Sequence, residues 1–195
     1  QPGMRIAITC GSRGIDNIAL VIKMIADFCK EKGAIPFIIP AMGSHGGATG
    51  PGQRLVCESL GVTEEYCGCP IRATMEVVKI GTTSCSDPMF DGKPVYEDRY
   101  AYEADGVIAI NRIKPHTSFV GPYESGLMKI LTIGLGKQKG AETAHFIGTR
   151  YMSKTVQEFG KVVLEKGKIL FCVGLVENAY DKTCIIEALT REEVL

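Results

Sequence analysis

The chain begins with two rounds of one pattern: a short apolar run, a glycine-rich loop, and apolar positions at helical spacing. The first round is "MRIAITC", "GSRGIDN" and a helical pattern that ends at Gly33; the second is "AIPFIIPAM", "GSHGGATG" and a helix that Pro51 begins. In that second helix we expect Leu55, Val56 and Leu60 to face inward. Short runs rich in β-formers predict buried strands, and the longer period predicts helices. A β-α-β-α start is typical of a parallel sheet covered by helices.

The remaining sequence predicts two more core strands and two more helices. "ADGVIAINRI" and "KILFCVGLV" are typical of buried strands, whereas "ESGLMKILTIGLG" and "SKTVQEFGKVVLEKG" are typical of helices. Residues 66–100 contain the strand-like "MEVVKIGTT" and the Asp-Gly hairpin signal of "FDGKPVYEDR". We therefore predict an α/β fold in which helices flank a mostly parallel sheet, with a β-rich excursion around residues 66–100.

Composition narrows the class of partner. The chain has 22 basic and 22 acidic residues, so its net charge gives no reason to expect nucleic acid or an anionic membrane surface. Its eight cysteines are too sparse for a disulfide scaffold, and the C-x-C of Cys67 and Cys69 lacks the second pair of a structural zinc site. The longest apolar runs are far below membrane-spanning length. We expect a cytoplasmic protein with reduced, mostly buried thiols and a small-molecule partner.

The unusual residues fall in the loops that follow the predicted strands. In an open parallel sheet, ligands bind where loops leave the carboxyl ends of the strands. The loops "GSRGIDN", "GSHGGATG" and "RIKPHTSFVG" occupy such positions and carry Arg13, His45 and His116. Glycines let the backbone approach a ligand closely, and helix amino termini favour phosphate or carboxylate. Neither glycine-rich loop is a G-x-G-x-x-G or Walker sequence, so plain turn geometry stays an alternative to a phosphate-binding loop.

The chain has only three histidines, and each also has a structural explanation. His45, which lies among glycines, is compatible with a turn residue in the left-handed conformation. His116 follows Pro115 and is compatible with a strand-end residue capped by a backbone carbonyl. His145 is compatible with a solvated surface residue. Local sequence alone therefore leaves the function of all three open.

Lys129 is the least expected polar residue, because it lies inside the apolar stretch "LMKILTIGL". On a continuous α-helix its neighbours on the same face are Ser125, Gly126, Thr132 and Gly136, which would form a groove of small side chains around it. A lysine that only extends its amine to water needs no such groove. A lysine with room for a bulky group beside it can serve as a covalent anchor when its pKa is depressed.

Taken together, these residues resemble one family, the nickel-dependent lactate racemases and their homologues (LarA-like proteins). The resemblance covers nearly the whole chain as the amino-terminal α/β domain of such proteins. It rests on "SRG" after the first strand, "GSHG" after the second and "KPH" after a later strand, followed by Lys129 and His145 in the same order and at the family's spacing. In this family a lysine holds a pyridinium mononucleotide through a thioamide, the mononucleotide grips nickel as a pincer, and a histidine is a further nickel ligand.

The resemblance implies a role for each residue. Lys129 would carry the nickel-pincer mononucleotide covalently, His145 would bind the metal, His45 and His116 would be the two acid/base catalysts, and Arg13 would bind the substrate. The implied activity is that of a racemase or epimerase of 2-hydroxy acids, an isomerase that works by hydride transfer. Because the hydride leaves one face and returns to the other, two bases on opposite sides are needed, and histidines suit that task.

The sequence also departs from the lactate racemase pattern. "GSHGG" has glycine where those enzymes have a larger residue, and "HTSFVGPYESGLMK" is longer than their corresponding segment. Both changes line the substrate side, so the resemblance supports the cofactor chemistry better than it supports lactate. Two other functions stay open: a zinc hydrolase with three histidine ligands, and a nucleotide- or phosphate-binding module without catalysis. Elemental analysis separates the three, since they predict nickel, zinc and no metal respectively.

The resemblance further implies partners. We expect residues 1–195 to be one piece of a two-domain protein whose carboxyl-terminal domain closes the site, and to be inactive by themselves. Maturation enzymes would have to supply the cofactor, so protein made in a foreign host without them should lack it.

Overall fold

The central strands are apolar at consecutive positions, which is typical of a sheet that is covered on both faces. In the computed structural model, which describes residues 1–195, the strands are β1 (Arg5–Cys10), β2 (Ile35–Pro40), β3 (Val77–Thr82), β4 (Pro94–Asp98), β5 (Gly106–Arg112), β6 (Ile169–Glu177) and β7 (Thr183–Leu189). Five of them form one sheet in the order β2-β1-β5-β6-β7. The first four are parallel, and β7 is antiparallel to β6. The predicted α/β fold with a mostly parallel sheet is confirmed.

Two apolar cores lie on opposite faces of this sheet. The helices are α1 (Ile18–Glu31), α2 (Gly50–Ser59), α3 (Glu64–Cys67), α4 (Arg99–Glu103), α5 (Leu127–Lys129), α6 (Lys137–Phe146) and α7 (Met152–Lys166). Ile6 and Ile8 of β1 pack in one core with α1, α2 and α3, whereas Ala7 packs in the other core with α4, α5 and α7. Because helices occupy both faces, the open places on the sheet are the loops at its two ends.

Residues 66–100 form the antiparallel excursion that their sequence predicts. β3 and β4 pair with each other in a separate two-stranded sheet, while α3 and α4 lie at either end of the segment. Asp91 and Gly92 belong to a longer loop between the two strands rather than to a two-residue turn. Gly92 has a φ of +66°, which explains the glycine.

The orientation of α2 corrects one expectation. Leu55 does not face inward: it is 65% exposed, whereas Val56 and Leu60 do pack against the core. The fully buried positions of this helix are Gln53 and Cys57. The polar Gln53 displaces Leu55 from the interior because its amide donates hydrogen bonds to backbone carbonyls of the preceding loop. Hydropathy alone assigns such a residue to the surface.

The same structure describes the state of the cysteines and the length of the helices. All eight cysteines are free and six of them are buried, as expected for reduced core thiols. No helix combines the length and the apolar character needed to cross a membrane.

Candidate functional site

A cavity of about 410 Å³ opens at the carboxyl ends of β1, β2 and β5. Its walls come from the loops that follow these strands, from the turn after α5, and from α6. The residues that the sequence singled out all line it: Arg13, His45, His116, Lys129 and His145. The structure thus brings together five residues that are far apart in sequence, while their individual roles stay predictions.

Glycines shape the loop that carries His45. Gly46 has a φ of +65°, and a Cβ there would stand 2.6 Å from the backbone nitrogen of Gln53, so no larger residue fits. His45 itself is extended, with φ −63° and ψ 170°, so the left-handed alternative is wrong. Its Nδ1 lies 2.5 Å from Oγ of Ser12, in the loop after β1. This contact fixes the ring and leaves Nε2 without a protein partner.

His116 is held from three sides. Its backbone N–H donates to the carboxylate of Glu124 at 2.6 Å, and its ring stacks on Phe119 at 4.1 Å between ring centroids. The backbone N–H of Ser118 donates to Nδ1 at 3.1 Å, and Nε2 lies 2.6 Å from Nζ of Lys129. The capping of this histidine by a backbone carbonyl, the alternative from sequence, does not occur.

The contact between His116 and Lys129 limits the protons that the pair can hold. One of the two nitrogens, Nε2 or Nζ, must offer a lone pair to the other, so the two groups are not both protonated. The pKa of Lys129 is lowered, first by burial and then by the charges of Arg13 and Lys114. This shift raises the share of the uncharged amine, which is the nucleophilic form of lysine.

The surroundings of Lys129 differ from the predicted groove. The helix does not continue as an α-helix after α5, because Ile130–Gly134 form a π-helical turn (the π-turn). Thr132 is buried and its hydroxyl donates to the carbonyl of Met128 at 2.9 Å, so it does not face the cavity. Gly136 does not line the cavity either, whereas Ser125 does. The wider π-turn changes which residues share a face with Lys129.

His145 presents one ring nitrogen to the cavity side of α6. Its Nδ1 lies 2.6 Å from the carbonyl oxygen of Ala141, and since a carbonyl only accepts, Nδ1 carries the proton. Nε2 therefore keeps its lone pair, which is the arrangement found in histidines that bind metals. No group of three histidine, cysteine or acidic side chains is close enough to hold a metal ion. The three histidines thus do not form a three-ligand metal site in this structure.

Burial and, after it, nearby positive charge lower the pKa of both remaining histidines. Burial, Arg13 and Lys129 lower the pKa of His45. Burial and Lys129 lower the pKa of His116, while Glu124 opposes this effect. Both imidazoles are therefore neutral near pH 7, which is the form that accepts a proton. Arg13 lies at the rim of the cavity, is exposed, and makes no ion pair or side-chain hydrogen bond in the structure.

A buried polar network supports the His45 loop, and the sequence analysis did not predict it. Lys137 is completely buried; its amine donates to the carbonyl of Pro40 and, at 2.9 Å, to Oε1 of Gln53. It also forms an ion pair with Asp98 at 2.9 Å. The amide of Gln53 in turn donates to the carbonyls of Gly43 at 2.8 Å and His45 at 3.2 Å. The only signal in the sequence was a lysine among glycines in "GLGKQKG".

The comparisons with known proteins add a likeness at the level of fold. No protein-family model and no curated protein matches the sequence. Among solved structures, the lactate racemase apoprotein from Thermoanaerobacterium thermosaccharolyticum superposes with a TM-score of 0.69 over 97% of this chain, at 18% sequence identity. The chain has a lactate racemase-like fold. It corresponds to 46% of the length of that racemase, so it spans about half of it.

Proposed function

We propose that the protein is a racemase or epimerase of 2-hydroxy acids that uses a nickel-pincer mononucleotide tethered to Lys129. The observation that carries this proposal is the partly buried amine of Lys129, which Nε2 of His116 contacts at 2.6 Å inside a cavity lined by all three histidines of the chain. A phosphate-binding module needs a charged lysine, and burial with the charges of Arg13 and Lys114 disfavours that form here by lowering the pKa of Lys129. The lactate racemase-like fold supports the same conclusion.

The residues present fit such a cofactor. Lys129 supplies an amine for a covalent bond, and Nε2 of His145 supplies one further metal ligand where a pincer would contribute the others. When bound, a metal-bearing pyridinium ring supplies a hydride acceptor. No three ligating side chains of the chain lie together, so most of the metal ligands would have to come from the pincer.

The strand order supports the assignment of two bases. His45 follows β2, Arg13 follows β1 and His116 follows β5, and these strands are neighbours in the order β2-β1-β5. A carboxylate held by the guanidinium of Arg13 would thus lie between two neutral imidazoles. Each can take the hydroxyl proton of one enantiomer and return it to the other. Conversion of the Lys129 amine to an amide-type nitrogen would also remove the partner of His116 Nε2, which frees that nitrogen for substrate.

Closure of the site and loading of the cofactor belong to the same proposal. The lactate racemase is about twice as long as this chain, so we propose that a further domain covers the cavity and excludes water from the substrate. We also propose that maturation enzymes deliver the mononucleotide. Residues 1–195 alone should then turn over poorly even when loaded.

Mass spectrometry of the loaded protein tests the function. The protein is coexpressed with enzymes that make the pincer mononucleotide, supplied with nickel and digested with trypsin. A modified Lys129 blocks cleavage, so the adduct should appear on the peptide 113–137 instead of 113–129. Lys129→Ala should abolish the adduct and activity, whereas the exposed control Lys79→Ala should change neither.

The histidine variants divide the remaining roles. His145→Ala should lose nickel and keep the organic adduct, because it removes a metal ligand and leaves the attachment point. His45→Ala and His116→Ala should keep both adduct and nickel but slow opposite directions of the interconversion to different extents. An unmodified Lys129 in active, nickel-loaded protein would refute the covalent role. Loaded protein that interconverts the enantiomers of no 2-hydroxy acid would refute the function.

A further inference from the structure

The amine of Lys129 lies in the cavity without a counter-ion. No aspartate or glutamate lines the cavity, and Nε2 of His116, at 2.6 Å, is the only hydrogen-bond partner of Nζ. Burial lowers the pKa of Lys129, and the positive charges of Arg13 and Lys114 add to this effect. A lysine in such surroundings reacts as a nucleophile near neutral pH, because a larger share of it is uncharged.

The same cavity presents a guanidinium to any electrophile that enters it. Arg13 lines the cavity, is exposed, and makes no ion pair or side-chain hydrogen bond. A guanidinium pairs well with a carboxylate, and the field of this one reaches Nζ, since it lowers the pKa of Lys129. A molecule that carries a carboxylate close to an electrophilic carbon therefore meets both groups. The cavity volume of about 410 Å³ limits that molecule to a small one.

We propose that Lys129 of the cofactor-free protein forms an imine with short oxo acids, whose carboxylate is bound by Arg13. The reaction needs neither nickel nor the pincer mononucleotide, so it goes beyond the proposed function. The lone pair of Nζ forms the bond to the carbonyl carbon, and the π electrons of the carbonyl move to its oxygen. That oxygen takes up two protons, the number that Nζ loses, and leaves as water. Nε2 of His116 is within reach to transfer these protons, and the condensation involves no oxidation or reduction.

Binding of the acid has two opposite effects on this reaction. A carboxylate at Arg13 offsets the charge of the guanidinium and so raises the pKa of Lys129, but burial, which is the larger cause of the lowered pKa, stays. The same ion pair holds the carbonyl group beside Nζ, and positioning of two reactants accelerates their reaction by orders of magnitude. Oxo acids should therefore react faster than carbonyl compounds without a carboxylate.

Reductive trapping in protein made without maturation enzymes tests the proposal. Residues 1–195 are incubated near pH 7 with pyruvate and cyanoborohydride, which reduces an imine to a stable secondary amine, and are then digested with trypsin. Lys129 should gain a carboxyethyl group, which blocks cleavage and places the label on the peptide 113–137. Labelling should be at least about tenfold faster than at the exposed control Lys79 in β3. Lys129→Met should lose this label.

Pyruvamide separates the two parts of the site, because it has the same ketone and no negative charge. The ratio of pyruvate labelling to pyruvamide labelling should be about fivefold higher at Lys129 than at Lys79, as expected for an ion pair with the exposed Arg13. Arg13→Met should bring the two ratios together, whereas Arg13→Lys should keep most of the difference. Because the readout is a ratio, any change in the basicity of the amine cancels.

Three results would overturn the proposal: labelling of Lys129 no faster than that of Lys79, equal ratios at the two lysines, or a difference in the ratios that survives Arg13→Met. None of them bears on the proposed function, since attachment of the mononucleotide does not require reaction with a free oxo acid. Conversely, a loaded protein without racemase activity would refute the function and leave the imine chemistry of the cofactor-free protein standing.

Discussion

Lys137 offers a sharp test of the link between the buried network and the catalytic loop. Lys137→Met keeps most of the volume of the side chain, so no large cavity is created, but it removes the positive charge from a site where Lys137 and Asp98 are both fully buried. Asp98 is left with no cation, and the carbonyl of Pro40 and Oε1 of Gln53 lose their donor. Removing one partner of a buried ion pair costs about 3–5 kcal/mol of unfolding free energy.

The pH dependence of this cost follows from Asp98. Burial already raises the pKa of Asp98, and Lys137 is the main group that lowers it. Without Lys137 the carboxyl can take up a proton in acid, which relieves the buried charge, so the loss of stability should be smaller at pH 5 than at pH 8.

Urea denaturation at these two pH values measures the effect, with the slope of the transition checked for constancy. Asp98→Asn keeps an oxygen for the N–H groups of Tyr100 and Ala101 that Asp98 now caps, so the double variant Lys137→Met/Asp98→Asn should be more stable than Lys137→Met alone. The exposed control Lys79→Met should stay within about 0.5 kcal/mol of the wild-type protein. A loss below about 1 kcal/mol for Lys137→Met, or strict additivity in the double variant, would refute the reasoning.

Two further predictions concern titrating groups. Burial and the neighbouring Asp98 raise the pKa of Glu97 from 4.5 to about 7, so its contribution to stability is present below pH 4.5 and lost as the pH rises through 7. Glu97→Gln should therefore stabilise the protein at pH 8 by up to about 3 kcal/mol and progressively less toward pH 5, and an unchanged pH dependence of urea unfolding would contradict this. NMR titration of His45 and His116 should give midpoints below 6.5. Lys129→Met should raise both midpoints, because a protonated amine repels a proton on either imidazole. Glu124→Gln should lower the midpoint of His116 alone. Wild-type midpoints at or above 6.5 would argue against this electrostatic description.

Much of the sheet and the gathering of the site could be predicted from the sequence, for a physical reason. A buried parallel strand must be apolar throughout, and the chain must leave it by a loop at its carboxyl end. Arg13, His45 and His116 each follow such a strand, so their convergence needs no knowledge of side-chain packing. The predicted excursion of residues 66–100 rested on equally local signals.

What could not be predicted depends on buried polar contacts and on helix pitch. Leu55 faces solvent because Gln53 takes the interior position to satisfy loop carbonyls. Lys137 is completely buried although hydropathy assigns lysine to the surface, since the partners that make this tolerable come from three other segments. The prediction of a groove of small side chains around Lys129 was wrong. It assumed the α-helical period of 3.6 residues per turn across a segment that contains the π-turn.

The π-turn, the lowered pKa of Lys129 and the charge of Arg13 are connected. The π-turn begins directly after Lys129 and places Ile130, Ile133 and Gly134 along the cavity. Burial and the charges of Arg13 and Lys114 lower the pKa of Lys129 and thus favour its uncharged form. Under the proposed function, an acid bound at Arg13 would cancel part of this effect and raise the pKa of the amine. Lys129 is therefore most nucleophilic while the substrate site is vacant, so under the proposed function the covalent attachment of the mononucleotide precedes the binding of the acid.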